Sequence, residues 1–481
     1  MEGRTSGSKV TALAVLIIIF FSLLYSSIAL WDPDFWWHIS TGRYIIEHRE
    51  LPDSDPFSFM PEGSDATRNF VILKGYWLAQ LILYGAWSLG GVQGMVIFRT
   101  LVLTFVLSLL WWFVRKGRPS LALACLLLSG SVLFSFTGER PQTLVFPLTV
   151  LMFMVVQGGI ERKNKAFFFL PFITLAWTNL HGSAIFAMGI LLLYSVSLAV
   201  TWRNRGRREN FMLLLFCLLG VAAAFVSPLG EQRITQFITF QKSIVMSESI
   251  EFFSPFRIFS LYGKMYPGYL ICLLLTGAVL AVNIRRLPLS TILIVTGSAL
   301  MSLAGIRYMV FFALSTSLLF REPSLRIKGF FHAAILVLAL VPVLLDLGYF
   351  RPFHFSLRET YPVESVQVLA EKNPRRLFTY LEWGGFAEYY LPDAKVFIDG
   401  RMLNEDTLIL YNVVLQGTEA FGRKEWKKNL DENKVDAVML PLRDFNEGQP
   451  VVLVERLMRD KDWEMVFNNG REAAFVRRPM T

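Results

Sequence analysis

The stretch Trp31–Ser58, WDPDFWWHISTGRYIIEHRELPDSDPFS, directly follows the first long apolar run, Val10–Leu30. It sets carboxylates, histidine, arginine and three tryptophans side by side. Charged groups cost several kcal/mol in hydrocarbon and little at an interface or in a water-filled cavity, so this cluster belongs where a bilayer meets water. The tryptophans give the same address, because their rings favour the headgroup level. Asp32-Pro33-Asp34 is its sharpest element. Two carboxylates two residues apart can share a divalent cation, or one can hold a partner while the other accepts a proton.

Working outward, the composition agrees with a membrane setting. Hydrophobic residues make up 54% and charged residues 18% of 481, and the mean hydropathy is +0.46; a soluble chain of this length is less apolar and more charged. The chain reads as a polytopic α-helical membrane protein. Its formal charge of +9 sits in short clusters between apolar runs, the positive-inside pattern, and leaves no nucleic-acid footprint. Cys125, Cys217 and Cys272 all lie within apolar runs, which indicates neither a disulfide framework nor a zinc site. Val10–Leu30 is longer than a signal-peptide core and lacks a small-residue cleavage site, so it reads as an uncleaved first span.

Eleven spans are expected, at residues 10–30, 94–114, 119–136, 142–158, 165–180, 183–202, 211–227, 267–283, 288–305, 308–320 and 329–349. Tyr76–Gly90 is too short for the roughly 20 residues a span needs, carries Gln80 and ends at Gly90-Gly91, so it reads as an interfacial helix. With the N-terminus inside, the basic loops Arg115/Lys116/Arg118, Arg162/Lys163/Lys165, Arg203/Arg205/Arg207/Arg208, Arg285/Arg286 and Arg321/Arg326/Lys328 all fall on the cytoplasmic side. Making Tyr76–Gly90 a span would put them all outside, against the orientation bias. The outer face then collects the Asp32 loop, Glu139-Arg140-Pro141-Gln142, Asn179-Leu180-His181-Gly182, the loop 228–266, Gly305-Ile306-Arg307 and the C-terminal tail.

After Phe350 the composition turns to that of a soluble α/β domain of ordinary size. Strands are predicted at 375–380, 395–398, 435–440, 464–467 and 473–477, with helices around Glu388 and over 417–432 and 451–459. No GxGxxG or P-loop pattern supports nucleotide binding. Gly384-Gly385 and Asp399-Gly400 read first as strand-end turns. The expected organisation is a membrane domain, 1–349, whose first outside loop is 32–75, followed by a soluble α/β domain, 350–481.

This order of parts resembles the GT-C class of integral membrane glycosyltransferases, especially bacterial members related to protein mannosyltransferases and lipid A aminoarabinose transferases. A short tail, one span, a large first outside loop opening on an acidic motif, interfacial helices, further spans and an outer soluble domain follow in the same sequence. The C-terminal part, with WGG at 383–385 and FIDGR at 397–401, looks like the tail of uncharacterised bacterial relatives. The resemblance implies transfer of a sugar from a polyprenyl-phosphate carrier to a lipid, glycan or protein acceptor at the outer face of a bacterial inner membrane. It implies a carboxylate that orients and deprotonates the acceptor, for which Asp32 and Asp34 stand, with or without a divalent cation on that pair. It also implies cations for the carrier phosphate, for which Arg140, Arg307 and His181 stand, with His38 as a further donor-binding candidate and Ser247, Glu248 and Glu251 on a covering loop. Arginine suits phosphate because its fork gives two parallel hydrogen bonds.

Each assignment has a structural rival. Asp34 can instead cap a helix over Phe35–Glu47, and His38, four residues on, can simply contact Asp34. Arg140 and Arg307 can snorkel to headgroups, and His181 can belong to a capped turn. Asp53 and Asp55, flanking Ser54 before Pro56, read as turn residues. At the level of the whole chain the rivals are a transporter or flippase of lipid-linked sugar or polysaccharide, and a non-catalytic membrane assembly protein. Charges gathered at one face, and the lack of paired broken helices in two matching halves, speak against the transporter.

Overall fold

The computed structural model describes all residues except 1, 64–65, 162–164, 202–206, 233, 236–249, 421–422, 446–447 and 480–481. Ser247, Glu248, Arg162, Lys163, Arg203 and Arg205 lie outside the described residues. The chain forms two compact units, one of Met1–Leu30 with Leu89–Ser356, the other of Trp31–Ser88 with Leu357–Thr481. The boundary expected at 349/350 therefore differs from this grouping, in which the first loop associates with the C-terminal segment.

The first unit is helical. Helices long and apolar enough to cross a membrane, among the described residues, are Ser8–Tyr25, Trp77–Val114, Pro141–Ile160, Pro267–Arg286 and Gly329–Tyr349. Shorter apolar helices are Pro119–Ser135, Ala166–Leu180, Ala184–Val200, Asn210–Ala223, Leu289–Ala304 and Ile306–Phe320. Every segment expected to span thus coincides with an apolar helix. The Trp77–Val114 helix breaks at Gly90 and at Gly91, whose φ of +52° suits glycine alone, so the segment expected at the interface ends where the glycine pair stands. The α-helical part of Ile306–Phe320, Met309–Phe320, spans 12 residues, all buried, about 18 Å at 1.5 Å per residue. That is short of the roughly 30 Å of hydrocarbon. All its residues pack against neighbouring helices, and Ser315 Oγ meets Ser298 Oγ at 2.6 Å, the close small-residue approach that membrane helices favour.

An ion pair lies within this unit. Arg99, the lone ionisable side chain of residues 94–114, pairs with Glu139, both essentially inaccessible. The guanidinium also donates to the carbonyls of Tyr25, at 3.1 Å, and Ile28. It thereby satisfies carbonyls at the end of the first helix that have no continuing turn to bond them.

The second unit is built on a five-stranded sheet: β1 Arg376–Thr379, β2 Lys395–Val396, β3 Ala437–Pro441, β4 Trp463–Asn468 and β5 Glu472–Arg477. The order is β2-β1-β3-β5-β4; β2, β1 and β3 run parallel, β5 is antiparallel to β3, and β4 and β5 form a hairpin. Every residue of β3 is buried, as expected for a central strand. The expected strands match these five within a residue or two. The first loop extends the sheet, since Val396 N donates to Phe57 O at 2.9 Å and Phe59 N to Val396 O at 3.1 Å. Helix Asp34–His48 packs on helix Gly384–Tyr390, and fully buried Trp36 sits 4.7 Å from the Phe386 ring and 5.5 Å from Tyr361. The loop is therefore part of this unit's hydrophobic core.

Candidate functional site

The acidic motif forms a tight turn into helix Asp34–His48. Pro33 supplies φ −66° just before the helix. Asp32 Oδ1 accepts the Asp34 N–H at 3.1 Å, and its carbonyl accepts the Phe35 N–H. Asp32 is 1% exposed and holds the turn. The Asp34 side chain is half-buried and accepts from Trp37 Nε1 at 3.2 Å. This corrects the expectation of Asp34 as a cap on Phe35–Glu47: the helix includes Asp34, Pro33 occupies the cap position without a side-chain bond, and the capping work falls to Asp32. A carboxylate in a first helical turn also meets the positive end of the helix dipole. His38 is buried, its ring 3.5 Å from that of Trp37 and 5.5 Å from that of Tyr76.

Asp34 faces the C-terminal ends of the parallel strands, the usual ligand edge of an open α/β sheet. A Cβ on Gly400, which follows β2, would lie 2.6 Å from Asp34 Oδ1, and one on Gly385, 2.9 Å from Trp37 N. Gly385 of WGG and Gly400 of FIDGR are thus close-approach positions beneath the acidic turn, beyond their strand-end turns. Glu382, after β1, is raised above the usual carboxylate range by burial, opposed by Arg358 and reinforced by Asp444 and Asp34.

Beneath the turn lies a buried charge cluster that the sequence did not announce. Arg401 reaches Asp399 Oδ2 at 2.6 Å, Asp55 Oδ1 at 2.8 Å and Glu388 Oε1 at 3.1 Å, and all four side chains are nearly inaccessible. Three carboxylates around one guanidinium cannot all stay ionised in a dry site. Burial, then the neighbouring Asp399, pushes Glu388 well above the ordinary range, so of the three carboxyls it most favours the neutral form. Burial also acts against the Asp399 anion, but Arg401 more than offsets it and holds that carboxyl low. Asp55 does make the expected turn, accepting the Phe57 N–H at 3.0 Å, and in addition ties the first loop to Arg401.

The basic candidates lie in the helical unit. Arg140 pairs with Glu251. Arg307 lies 4.4 Å above the Phe252 ring, and its carbonyl accepts from Gln142 Nε2 at 3.1 Å. Arg140 and Arg307, from distant segments, are therefore gathered around the turn 250–253, whose Phe253 carbonyl binds the Ile306 N–H at 3.0 Å. His181 Nδ1 meets Ser183 Oγ at 2.7 Å and the Ser183 N–H at 3.0 Å, with Trp177 Nε1 donating to the same hydroxyl. That is the capped turn named as its rival. Arg99 and Glu139 had a readable signal, ionisable groups at membrane depth; the Arg401 cluster had none beyond the Asp and Arg two apart after a strand. Among the described residues no group of three or more His, Cys, Asp or Glu side chains is arranged to hold a metal ion.

No family model and no curated protein matches the chain. Solved structures do match in fold. The aminoarabinose transferase ArnT of Cupriavidus metallidurans, bound to undecaprenyl phosphate, aligns with TM-score 0.57 and 12% identity over 97% of both chains. The Archaeoglobus fulgidus oligosaccharyltransferase aligns in its apo form with TM-score 0.59 and 10% identity, over 91% of this chain and 69% of the other. The same enzyme, AglB, in complex with an inhibitory peptide and a dolichol-phosphate aligns at 0.55 and 10% identity, over 90% and 70%. The mycobacterial arabinofuranosyltransferase AftD aligns at 0.56 and 13% identity over 98% of this chain, which spans 40% of that enzyme. The chain has the fold of GT-C membrane glycosyltransferases.

Proposed function

We propose that this protein is a GT-C glycosyltransferase that moves a sugar from a polyprenyl-phosphate carrier to an acceptor. The observation that carries the reading is the alignment over 97% of both chains with an enzyme holding undecaprenyl phosphate, joined to an acidic turn at the start of the first loop. Asp34 is the base. Its carboxylate is half-buried and oriented by the Trp37 indole, whereas Asp32 holds the turn that presents it. The acceptor hydroxyl attacks the anomeric carbon, its proton passes to Asp34, and the bond from that carbon to the carrier phosphate breaks with its electron pair leaving on the phosphate. For the carrier phosphate, the candidates are Arg140 and Arg307, drawn together around 250–253 within the helical unit, since an arginine fork suits an anion.

A shared side for the first loop and the C-terminal sheet is supported by the second unit alone. Residues 57–59 pair with Val396, so the first loop and the C-terminal sheet share one side of the bilayer, and an even number of crossings separates them. Ten spans after the first satisfy this, and the basic loops then face the cytoplasm. The reading places both segments at the outer face of a bacterial inner membrane.

The test is turnover with a defined polyprenyl-phosphate sugar. Asp34→Asn keeps shape and hydrogen bonding but removes the base, so turnover should fall by about 10² or more, the usual contribution of a general base, while melting behaviour stays near wild type. Near-normal turnover in Asp34→Asn would reject the acidic turn as the catalytic centre.

A further inference from the structure

The second unit holds a cavity of about 390 Å³, within the range of small-molecule sites, about 300–1,000 Å³. It opens at the same strand ends that Asp34 faces, between the segment after β1, the segment after β3 and the β4–β5 hairpin. Its walls mix aromatic rings with charges of both signs: Trp383, Tyr361 and Phe445 beside Asp444, Arg471 and Glu472. The rings are fixed in place. Trp383 Nε1 donates to Thr360 O at 2.8 Å, and the Trp383 and Phe445 rings lie 5.8 Å apart. The Tyr380 hydroxyl donates to Asp444 Oδ2 at 2.7 Å, which sets that carboxylate, and Leu442 N donates to Arg471 O at 2.8 Å, which ties the two loops together. Phe445 is 39% exposed, whereas Trp383 is 3% exposed, so Phe445 presents a free ring face over a rigid base.

This lining selects a chemistry. A polyprenyl chain needs an apolar slot, and burying it against so many charged groups would strip their hydration without replacement. An extended peptide is held mainly by backbone bonds to a sheet edge, which these loop walls do not offer. A sugar ring has an apolar C–H face for the aromatic rings and a rim of hydroxyls that both carboxylates and guanidinium can bond. We propose that the cavity is a carbohydrate subsite that takes a glycan acceptor, delivering its hydroxyl toward Asp34 along the sheet edge. The proposal rests on glycosyl transfer being the reaction, and it narrows the acceptor from lipid, protein or glycan to glycan.

Binding can be tested apart from turnover, with the full-length protein in detergent and saturation-transfer NMR. The probes are cellotetraose, maltotetraose, chitotetraose and mannotetraose, with the tetrapeptide Ala-Asn-Ala-Thr as the competing class. At least one tetrasaccharide should bind, Phe445→Ala should weaken it about tenfold, the size of one aromatic contact, and Phe445→Trp should retain it. Asp34→Asn should bind the saccharide as wild type does, so loss of turnover and loss of binding report on different claims. Binding of the peptide alone, no binding of any tetrasaccharide to protein with a wild-type melting curve, or saccharide binding indifferent to Phe445→Ala would each overturn the subsite.

Discussion

The residues with most at stake are those whose charge the fold has to manage. Around Arg401 the sign of the pH response follows from which carboxyl is perturbed which way. Glu388 is raised in the folded state from its ordinary 4.5, so the stability it contributes is fully present below that value and declines as pH rises toward its folded value. Asp399 is lowered from 3.8, and its contribution is lost only as pH falls below that. Glu388→Gln removes the first titration while preserving a neutral hydrogen-bonding group. Its melting temperature relative to wild type should therefore climb as pH rises above 4.5; a pH-independent difference would show that Glu388 is ionised in the fold. Arg140 and Arg307 invite a charge-neutral test. If they bind the carrier phosphate, Arg140→Lys or Arg307→Lys loses the two-pronged geometry and turnover drops clearly, whereas headgroup anchors would leave it at the wild-type rate. At this scale the sequence was legible where chemistry is local. Asp32-Pro33-Asp34 declared itself, but Asp55 meets Arg401 across 346 positions, and nothing in a turn motif reveals a partner that distant. His181 shows the converse, a polar residue at a helix end whose hydrogen bonds to Ser183 complete a turn.

At the scale of elements, the acidic turn and the glycines beneath it behave as one part. Gly400 carries no side chain because its Cβ would lie 2.6 Å from Asp34 Oδ1. Gly400→Ala should therefore push the carboxylate aside and lower turnover by about tenfold or more, since small misplacement of a reacting group is costly, with Asp34 itself unchanged. The same substitution giving full turnover would show that Asp34 is not held against this loop. Elements with strong local patterns are legible in the sequence, and the five strands follow their apolar runs. The helix expected over 417–432 is instead helix Glu425–Glu432 preceded by the two-stranded ribbon Glu419–Ala420 and Arg423–Lys424. The reason is Gly417, at φ +58°, which closes the preceding helix Glu405–Leu415 in the manner of a C-terminal glycine. Neither that helix nor Val363–Lys372 carries a clear sequence signal, because both are short and half-buried, and helices of that size depend on packing more than on propensity.

For the whole molecule, the sidedness of the membrane chain is the property that everything else presumes. The proposed sidedness rests on basic loops that cluster on one side when Tyr76–Gly90 is not a span, and the proposed span number on pairing of residues 57–59 with Val396, which calls for an even number of crossings between them. A twelfth span at Tyr76–Gly90 would satisfy neither, and the break at Gly90-Gly91 gives that segment a separate end. The native Cys125, Cys217 and Cys272 are all buried, so single engineered cysteines can be read over a low background. A membrane-impermeant thiol reagent added outside intact cells should label cysteines placed near Ser58 and near Gly448 equally well, and should reach one near Arg205 only after the membrane is opened. Labelling at Arg205 with protection at both other sites would invert the orientation. Labelling at Ser58 with protection at Gly448 would break the sheet pairing itself, and with it the placement of the acidic turn at the strand ends on which the catalytic reading depends.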